Sequence, residues 1–231
     1  MKAYLDIIPE KYRKNVRIVS HPLAQAILTT LRDRNTGQIE FRKGMVKLGR
    51  LIALRIVEDF ETKPRKVVTP LGVEHEGIEI EGINDVVIIQ VLRASMPLVE
   101  GLIKILPSAR MGVISARRVE EKGMSQEKEF DIEVKYVKIP KITEKDNLII
   151  ADPMFATGST ILAVLHHLEK VDLRARRKIL ATVISTPIAI ERVLSRYPDL
   201  LIYTVAIDSY LNEKGYIVPG LGDAGDRSFG E

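Results

Sequence analysis

The chain has no cysteine, and this absence removes several kinds of chemistry at once. Disulfide bonds, thiolate nucleophiles and cysteine-ligated metal centres are all excluded. Long apolar runs are missing as well, because no stretch approaches the roughly 20 apolar residues of a membrane span. The charged stretch at residues 1–14 has no apolar signal-peptide core. We therefore expect a cytoplasmic location and no membrane partner.

No charge of one sign dominates the sequence. The 35 basic and 31 acidic residues give a net charge of +4, and the two signs are interleaved along the chain. This pattern predicts a mixed surface with local anion sites and no nucleic-acid partner. With 231 residues, 45% of them hydrophobic, the chain can bury one substantial core with room for a smaller appended lobe.

The first third of the chain has two helical patterns and one hairpin pattern. Apolar residues recur at helical spacing over residues 22–32 and 39–60, which predicts two helices. Residues 66–80 contain two strand-like stretches around a Pro-Leu-Gly turn, which predicts a two-stranded arm that projects from the core. Both helices and the arm belong to an expected N-terminal part, residues 1–84.

From residue 85 onward, strand and helix patterns alternate. We predict strands at residues 86–92, 111–116, 148–151, 179–185 and 201–207, with helices at 98–106, 160–168 and 189–195. Continuous Val/Ile runs that alternate with helices favour an α/β fold, in which a parallel sheet is flanked by helices on both faces. A further strand-like stretch covers residues 130–139. We expect a single domain over residues 1–231, with its α/β core at residues 85–207.

The most informative stretch is residues 148–160, where a buried-strand pattern ends in an acid and a small, hydroxyl-rich turn leads into a helix. A helix that starts there leaves backbone N–H groups unpaired and adds partial positive charge, so an anion can bind. Gly158 allows close approach, while Thr157, Ser159 and Thr160 supply hydroxyl donors. Asp152 would repel a phosphate, so we expect it to accept hydrogen bonds from ribose hydroxyls. The alternative is an ordinary turn followed by a helix cap.

Residues 208–231 are rich in glycine and polar residues. The motif at residues 220–225 matches GxGxxG, but a dinucleotide site also needs a following helix and an acid about 20 residues later. We expect neither in the six residues after Gly225. We interpret the segment as a hood whose backbone N–H and C=O groups face a flat ligand with polar edges, such as a pyrimidine base.

Two of these segments resemble a known family. The sequence DPMFATGST at residues 152–160 resembles the phosphoribosyl pyrophosphate (PRPP) loop of type I phosphoribosyltransferases, and its single acid followed by Pro-Met resembles the uracil phosphoribosyltransferase branch. The sequence LNEKGYIVPGLGDAGDR at residues 211–227 is similar to the uracil-binding hood of that branch. The resemblance covers roughly residues 20–231 and implies the type I fold.

The resemblance implies transfer of a 5-phosphoribosyl group from PRPP to N1 of uracil, which gives UMP and pyrophosphate. Mg2+ is implied as a cofactor that arrives with PRPP, with no direct protein metal ligand. Uracil would contact Ile217, Gly222, Asp223 and Ala224, largely through main chain. The implied PRPP-binding residues are Arg93, Arg118, Asp152, Pro153, Met154, Phe155, Ala156, Thr157, Gly158, Ser159, Thr160 and Asp223. Of these, Arg118, Asp152 and Asp223 are the implied catalytic residues.

Two arginines follow predicted strands. Arg93 and Ser95 lie in Arg-Ala-Ser-Met-Pro, which resembles the family's pyrophosphate loop with Ser95 in place of glycine. Ser95 is alternatively a plain helix N-cap. By the same resemblance Arg118 contacts pyrophosphate, with Arg117 as the fallback, and either could instead be a solvated surface residue.

Regulation and lid motion are further expectations. Arg42, Lys43 and Lys47 form a basic helix face, which is commonly only a solvated stripe. Archaeal-like members of the family are activated by GTP and inhibited by CTP between subunits, so these residues are candidate effector contacts in a homo-oligomer, either a dimer or a tetramer. The charged segment 119–128 is expected to be a flexible lid, or else an ordinary loop.

Two rival functions remain open. One is a phosphoribosyltransferase for a purine base or orotate. The other is a pyrimidine-responsive RNA-binding regulator on the same fold, which would need a basic face with steep salt dependence.

Overall fold

The structure is a computed structural model that describes residues 2–119, 123–170 and 173–230. The helices are α1 (Lys2–Asp6), α2 (Glu10–Arg13), α3 (Pro22–Arg32), α4 (Gln38–Val57), α5 (Met96–Ile105), α6 (Ser159–Glu169), α7 (Pro187–Arg196) and α8 (Ala224–Phe229). The strands are β1 (Val16–Ile18), β2 (Thr62–Val68), β3 (Glu74–Ile80), β4 (Val86–Leu92), β5 (Arg110–Arg118), β6 (Ile132–Lys138), β7 (Asn147–Ala151), β8 (Met154–Phe155), β9 (Arg177–Ala181), β10 (Ile184–Ser185), β11 (Leu200–Thr204), β12 (Ala206–Ile207), β13 (Tyr210–Leu211) and β14 (Ile217–Val218).

The Val/Ile runs form a seven-stranded sheet in the order β1-β11-β9-β7-β4-β5-β6. Neighbouring strands are parallel throughout, except that the edge strand β6 runs antiparallel to β5. The predicted parallel sheet is therefore confirmed. The stretch at 130–139 contributes its antiparallel edge.

Helices cover both faces of this sheet. One buried cluster joins a sheet face to α3, α4 and α5, and includes Leu28, Leu48 and Leu98. The other joins the opposite face to α6 and α7, and includes Leu165 and Ile190. Both faces are buried, as expected for strands that carry apolar residues at successive positions. The sheet is thus a rigid central layer from which loops project at the carboxyl edge.

Helices α4 and α5 cross at close range because two glycines meet there. A Cβ built on Gly49 would lie 2.2 Å from the carbonyl oxygen of Leu98, and one on Gly101 would lie 2.1 Å from that of Val46. Neither contact leaves space for a methyl group. The two glycines therefore set the distance between the helices.

Two predicted strands are split in the structure. The stretch predicted at 179–185 forms β9 and β10, and the one at 201–207 forms β11 and β12. Strands β8, β10 and β12 pair in parallel in a second, three-stranded sheet. Periodicity did not indicate these breaks, since the residues at them, Thr182, Val183 and Val205, are as buried as the strands. The sequence analysis also missed β1, the β13–β14 hairpin and α8.

The helix predicted at residues 22–32 is confirmed with those bounds, and the one predicted at 39–60 runs from Gln38 to Val57. Helix α4 ends early because the N–H groups of Asp59 and Phe60 reach back only three residues, to Ile56 and Val57. The predicted arm is confirmed as the antiparallel pair β2 and β3, and its first strand is exposed throughout. Within the described ranges, no helix is long and apolar enough to cross a membrane.

Candidate active site

The candidate site lies where adjacent parallel strands end. In the order β7-β4-β5, the strands lead directly into Asp152, into Arg93 and to Arg118. Since the carboxyl ends of parallel strands share one edge of the sheet, residues distant in sequence meet there. This edge is the usual place for a ligand in an open α/β sheet.

A cavity of about 570 Å³ opens at this edge. The residues that line it come from the strand ends, the turn after β7 and the hood. They are Val91, Leu92, Ala94, Ala116, Arg117, Arg118, Val119, Asp152, Met154, Ala156, Thr160, Gly215, Tyr216, Ile217, Gly222, Asp223 and Ala224. The cavity therefore brings the three sequence-predicted catalytic residues together with every residue predicted to contact uracil.

Asp152 is partly buried and lines this cavity. Burial raises the pKa of its carboxyl from 3.8 to about 6, against the opposing effects of the Met154 N–H and the charge of Arg118. The Met154 N–H donates to Oδ1 of Asp152 at 3.2 Å. One oxygen of the carboxyl is thus fixed by the backbone. Because burial has removed water from the ionised form, that form is stabilised when ligand hydroxyls donate hydrogen bonds to it.

The turn after Asp152 has the geometry expected of an anion site. Gly158 adopts φ +84°, a left-handed conformation that glycine adopts without steric cost, and helix α6 begins at the next residue. Gly158 is the N-cap residue of α6 and, as a glycine, has no side chain with which to cap it. The Thr157 hydroxyl accepts from the Ser159 N–H, the first of the helix, at 3.3 Å, so capping accounts for part of this turn. Free backbone N–H groups at a helix start remain available to an anion.

A small concavity follows this turn. Its lining is Arg118, Asp152, Met154, Phe155, Ala156, Thr157, Gly158, Thr160 and Ile161. Pro153 and Ser159, also predicted to bind PRPP, do not line either cavity. Pro153 lies buried, and its carbonyl accepts hydrogen bonds from Val183 and Ile184.

A charged segment packs over the turn. The Phe130 N–H donates to Oγ of Ser159 at 3.0 Å, and the Arg118 guanidinium lies 4.4 Å from the centre of the Phe130 ring. Arg192, on α7, donates to the carbonyls of Thr157, Glu127 and Lys128. The turn and residues 127–130 are thus tied together. Residues 120–122 of the expected lid lie outside the described part of the chain.

Arg93 and Ser95 do not line the main cavity in this structure. The Arg93 guanidinium lies 3.4 Å from Oδ1 of Asp226 and 5.4 Å from the centre of the Phe229 ring, both on α8. The Ser95 hydroxyl donates to the carbonyl of Val91 at 2.6 Å and makes no capping bond. Ser95 occupies the N-cap position of α5, but the capping hydrogen bond expected of its side chain is absent. The buried hydroxyl donates to Val91, four residues earlier, instead.

Arg118 and Arg117 both line the cavity but differ in their partners. Arg117 is exposed, and its Nε donates to Glu133 at 2.7 Å. Arg118 is partly buried and close enough to Asp152 for its charge to oppose the rise in the Asp152 pKa. This difference places Arg118 deeper in the site.

Asp223 has a structural contact as well as a place in the cavity. Its Oδ1 accepts from the N–H groups of Gly225 at 2.8 Å and Asp226 at 3.0 Å, which caps α8. Helix α8 begins inside the 220–225 motif, where we had expected no helix, but it is only six residues long. The cap fixes the direction in which the chain leaves the cavity.

The three basic residues proposed as effector contacts lie together in a second cavity of about 750 Å³. Arg42, Lys43 and Lys47 line it from α4, and Met96 and Ile103 line it from α5. Arg50 is a fourth cation of this wall that sequence reasoning missed, although it continues the same helix face.

Sequence reasoning also missed Arg32 and Asp208, which bind the hood at Gly220. Asp208 follows the last residue of β12, as Asp152 follows that of β7, so an acid after a buried strand was an available signal. Nothing local in α3 marks Arg32. Among residues 2–119, 123–170 and 173–230, no group of three or more His, Cys, Asp or Glu side chains could hold a metal ion.

The fold and this edge define the class of protein, a type I phosphoribosyltransferase. A family model described as uracil phosphoribosyltransferase matches residues 18–231. A protein named uracil phosphoribosyltransferase from Pyrobaculum arsenaticum is 52% identical over 214 residues, 93% of this chain and 98% of that protein. One of the same name from Metallosphaera sedula is 50% identical over 215 residues, 93% of this chain and 99% of that protein.

The chain belongs to the uracil phosphoribosyltransferase family. A solved structure described as the AQ2163 protein from Aquifex aeolicus matches with a TM-score of 0.81 and 27% identity, over 93% of this chain and 97% of that one. Membership makes the chain an enzyme of the pentosyltransferase class.

Proposed function

We propose that this protein transfers the 5-phosphoribosyl group of PRPP to N1 of uracil, which yields UMP and pyrophosphate for pyrimidine salvage. One observation supports this more than any other. Asp152, Arg118 and the hood residues Gly222 and Ala224 line a single cavity. A sugar-phosphate donor and a flat base can therefore meet in it.

Binding of the donor uses the turn after β7. The backbone N–H groups at the start of α6 donate hydrogen bonds to the 5-phosphate, and Asp152 accepts hydrogen bonds from the ribose hydroxyls. Because these contacts lie away from the reacting carbon, they orient the sugar without reacting with it. The barrier is departure of pyrophosphate from C1, which leaves a carbocation-like sugar.

Arg118 stabilises the charge that grows on the departing pyrophosphate, since guanidinium is a permanent planar donor. Arg93 takes the same role once its side chain leaves Asp226, whose carboxylate lies 3.4 Å away. The segment around Phe130 excludes water that would otherwise hydrolyse the donor. We assign no general base for uracil N1.

Uracil is recognised by main chain at Ile217, Gly222 and Ala224. Its edge presents an acceptor, a donor and an acceptor in series. Cytosine places a donor where one acceptor belongs, so a buried polar group would stay unpaired at a cost of about 1–3 kcal/mol. Asp223 faces the ribosyl side of the base.

Mg2+ is proposed as a cofactor that binds with PRPP. The carboxylates of Asp152 and Asp223 line the cavity, which fits a hard cation held mostly by substrate oxygens and water. When bound, the ion neutralises charge on the pyrophosphate leaving group. No protein oxygen is assigned to the ion directly, and Asp152 and Asp223 would face it through substrate hydroxyls and water.

The test is UMP formation from uracil, PRPP and Mg2+, compared with a panel of other bases. We expect Arg118→Ala to lose at least about 100-fold in kcat/KM, with Arg117→Ala losing much less. Asp223→Asn is the matched test of that acid, because asparagine still caps α8 whereas alanine would not. Transfer to a purine or orotate instead of uracil would replace the proposal by the first rival. No transfer to any base, with salt-dependent binding of RNA, would replace it by the second.

We further propose that the protein is a homo-oligomer, a dimer or a tetramer. The arm formed by β2 and β3 exposes Val68, Leu71 and Ile78, which are 70%, 89% and 72% exposed. Apolar side chains on a projecting hairpin gain free energy when a second copy covers them. Light scattering of the wild type and of Leu71→Asp tests this, and a monomeric wild type would disprove it.

We also propose that GTP activates and CTP inhibits through the second cavity. The cations Arg42, Lys43 and Lys47 match nucleotide phosphates, and the apolar residues Met96 and Ile103 on α5 match a base, although the acid Glu100 also lines that wall. Kinetics with added GTP and CTP, repeated on Lys43→Ala, test the proposal, and unchanged rates would exclude it. PRPP is a polyanion that does not cross a bilayer unaided, so we propose the cytoplasm as the location.

A further inference from the structure

One residue of the hood, Gly220, is held at both its backbone N–H and its backbone carbonyl by a single ion pair. The Gly220 N–H donates to Oδ2 of Asp208 at 2.9 Å. The Gly220 carbonyl accepts from Nη1 of Arg32 at 2.7 Å. The same Arg32 is bound to the same Asp208, so Gly220 lies in a closed ring of hydrogen bonds.

The ion pair itself is bidentate and largely out of water. Arg32 donates through Nη1 to Oδ2 of Asp208 at 2.7 Å and through Nη2 to Oδ1 at 2.8 Å. The Asp208 side chain is 6% exposed and that of Arg32 is 24% exposed. Fork-to-fork pairs of this kind fix direction as well as distance.

Both members of the pair stand on the rigid framework. Arg32 is the last residue of α3, and Asp208 follows β12 with its own N–H bound to the Ser185 carbonyl at 2.9 Å. The pair therefore fixes the position of the hood relative to α3 and the end of β12. A second arginine, Arg227, ties the hood to the same helix end, since its Nη2 donates to the Asp33 carbonyl at 2.7 Å.

Gly220 lies between two parts of the chain that line the active-site cavity, Ile217 and Gly222. Its φ is +58°, and a Cβ placed there would lie 2.1 Å from the carbonyl of Ile217, so the turn is tight. The main-chain groups of the hood that face the base cannot be reoriented by a change of side-chain rotamer. Their direction depends on the contacts that fix the backbone on either side of them.

The geometry points to Arg32 and Asp208 as positioning residues for base recognition, which act by holding the Gly220 backbone on both sides and so orienting the main chain of the hood toward the base. This inference rests on the proposed function. Neither residue lines the cavity, so neither is a catalytic residue. Their effect should fall on the base and leave the donor nearly untouched, because PRPP is held by the β7 turn.

The test is steady-state kinetics of Asp208→Asn and Arg32→Lys with each substrate varied in turn. We expect KM for uracil to rise about 10-fold or more in Asp208→Asn, because asparagine loses the bidentate pair, with KM for PRPP changing by less than about 2-fold. Lysine keeps the charge but not the fork, so Arg32→Lys should show a smaller rise of the same kind. Discrimination between uracil and cytosine should fall in both.

Asp59→Asn is the matched control. Asp59 is also an acid bound by arginines, Arg17 and Arg55, but it contacts Tyr203 on the sheet and not the hood. It should alter the melting temperature and leave both KM values near wild type. If Asp208→Asn does not fold, Arg32→Lys carries the test.

The outcomes separate this inference from the function on which it rests. A wild type that makes no UMP refutes the proposed function. An active wild type whose Asp208→Asn and Arg32→Lys variants keep the wild-type KM for uracil overturns the positioning role. Equal rises in KM for uracil and KM for PRPP would also overturn it, because a general structural defect weakens binding of both substrates alike.

Discussion

Replacement of Asp152 by asparagine should make the protein more stable and a poorer enzyme. Burial raises the pKa of the Asp152 carboxyl from 3.8 to about 6. In the unfolded chain the carboxyl keeps its ordinary pKa. The folded state therefore favours protonated Asp152, and that contribution to stability is present below pH 3.8 and is lost as the pH rises through about 6.

The size of the effect follows from the shift. At about 1.4 kcal/mol per pKa unit, ionised Asp152 costs the folded state up to about 3 kcal/mol. Asparagine avoids this cost and keeps an oxygen that accepts from the Met154 N–H. For a chain of this size, the gain corresponds to a rise in melting temperature of about 5–10 °C.

Thermal unfolding between about pH 4 and pH 8 measures the stability part. The advantage of Asp152→Asn should be small at the acidic end, grow through pH 6 and then stay constant. Asp146→Asn is a control for which the expected change in stability has the opposite sign. Burial acts to raise the pKa of Asp146, but hydrogen bonds from Arg110 and Thr143 outweigh it and hold that pKa below its ordinary value. Asp146→Asn should therefore destabilise at neutral pH.

The activity part needs the same variant. The asparagine amide presents donors as well as an acceptor to ribose hydroxyls, so kcat/KM for PRPP should fall about 10-fold or more. The wild-type kcat/KM should rise with pH through about 6 as Asp152 ionises. The phosphate groups of the substrate also titrate near pH 6. The pH dependence of kcat/KM that persists in the asparagine variant is therefore due to them and not to residue 152. A melting temperature at or below wild type near pH 8, or an unchanged kcat/KM, would refute the reasoning.

Three further predictions follow from the packing. Gly158→Ala should destabilise by about 1–2 kcal/mol and raise KM for PRPP, because alanine is strained at φ +84° and its methyl would meet Val193 at 3.1 Å; unchanged melting and kinetics would contradict this. Gly101→Ala should cost about 3 kcal/mol or more, or prevent folding, because α4 leaves no space; a wild-type denaturation midpoint would count against that close packing. Arg192→Met should expose residues 127–130 to limited proteolysis and speed PRPP hydrolysis, while protection equal to wild type would show that the arginine does not hold this segment.

The fold was largely predictable because its signals are local. Buried parallel strands need continuous apolar runs, and amphipathic helices need helical spacing, so the sheet and the helices at 22–32, 98–106, 160–168 and 189–195 could be located from the residues alone. The split of 179–185 into β9 and β10 could not, since pairing with β8 and β12 decides it. Pairing partners lie far away in sequence and leave no periodic signal.

The candidate site likewise has some features that the sequence predicts and others that depend on tertiary packing. Asp152 and the turn to Thr160 could be located as a candidate anion site because strand, acid, small turn and helix follow one another directly, and the resemblance to the family made a sugar phosphate the predicted ligand. That the hood closes the same cavity depends on the strand order. The place of Arg93 against Asp226 and the hydrogen bond of Ser95 to Val91 depend on packing and were not predictable.

The sequence by itself determined the class of fold, the strand, turn and helix at residues 148–160 and, through its resemblance, the family, because each is encoded within a short stretch of chain. Only the tertiary structure decided that Arg32 holds the Gly220 peptide from 188 positions away and that burial raises the pKa of Asp152. Such effects arise from the field and contacts of neighbours, and those neighbours exist only once the chain has folded.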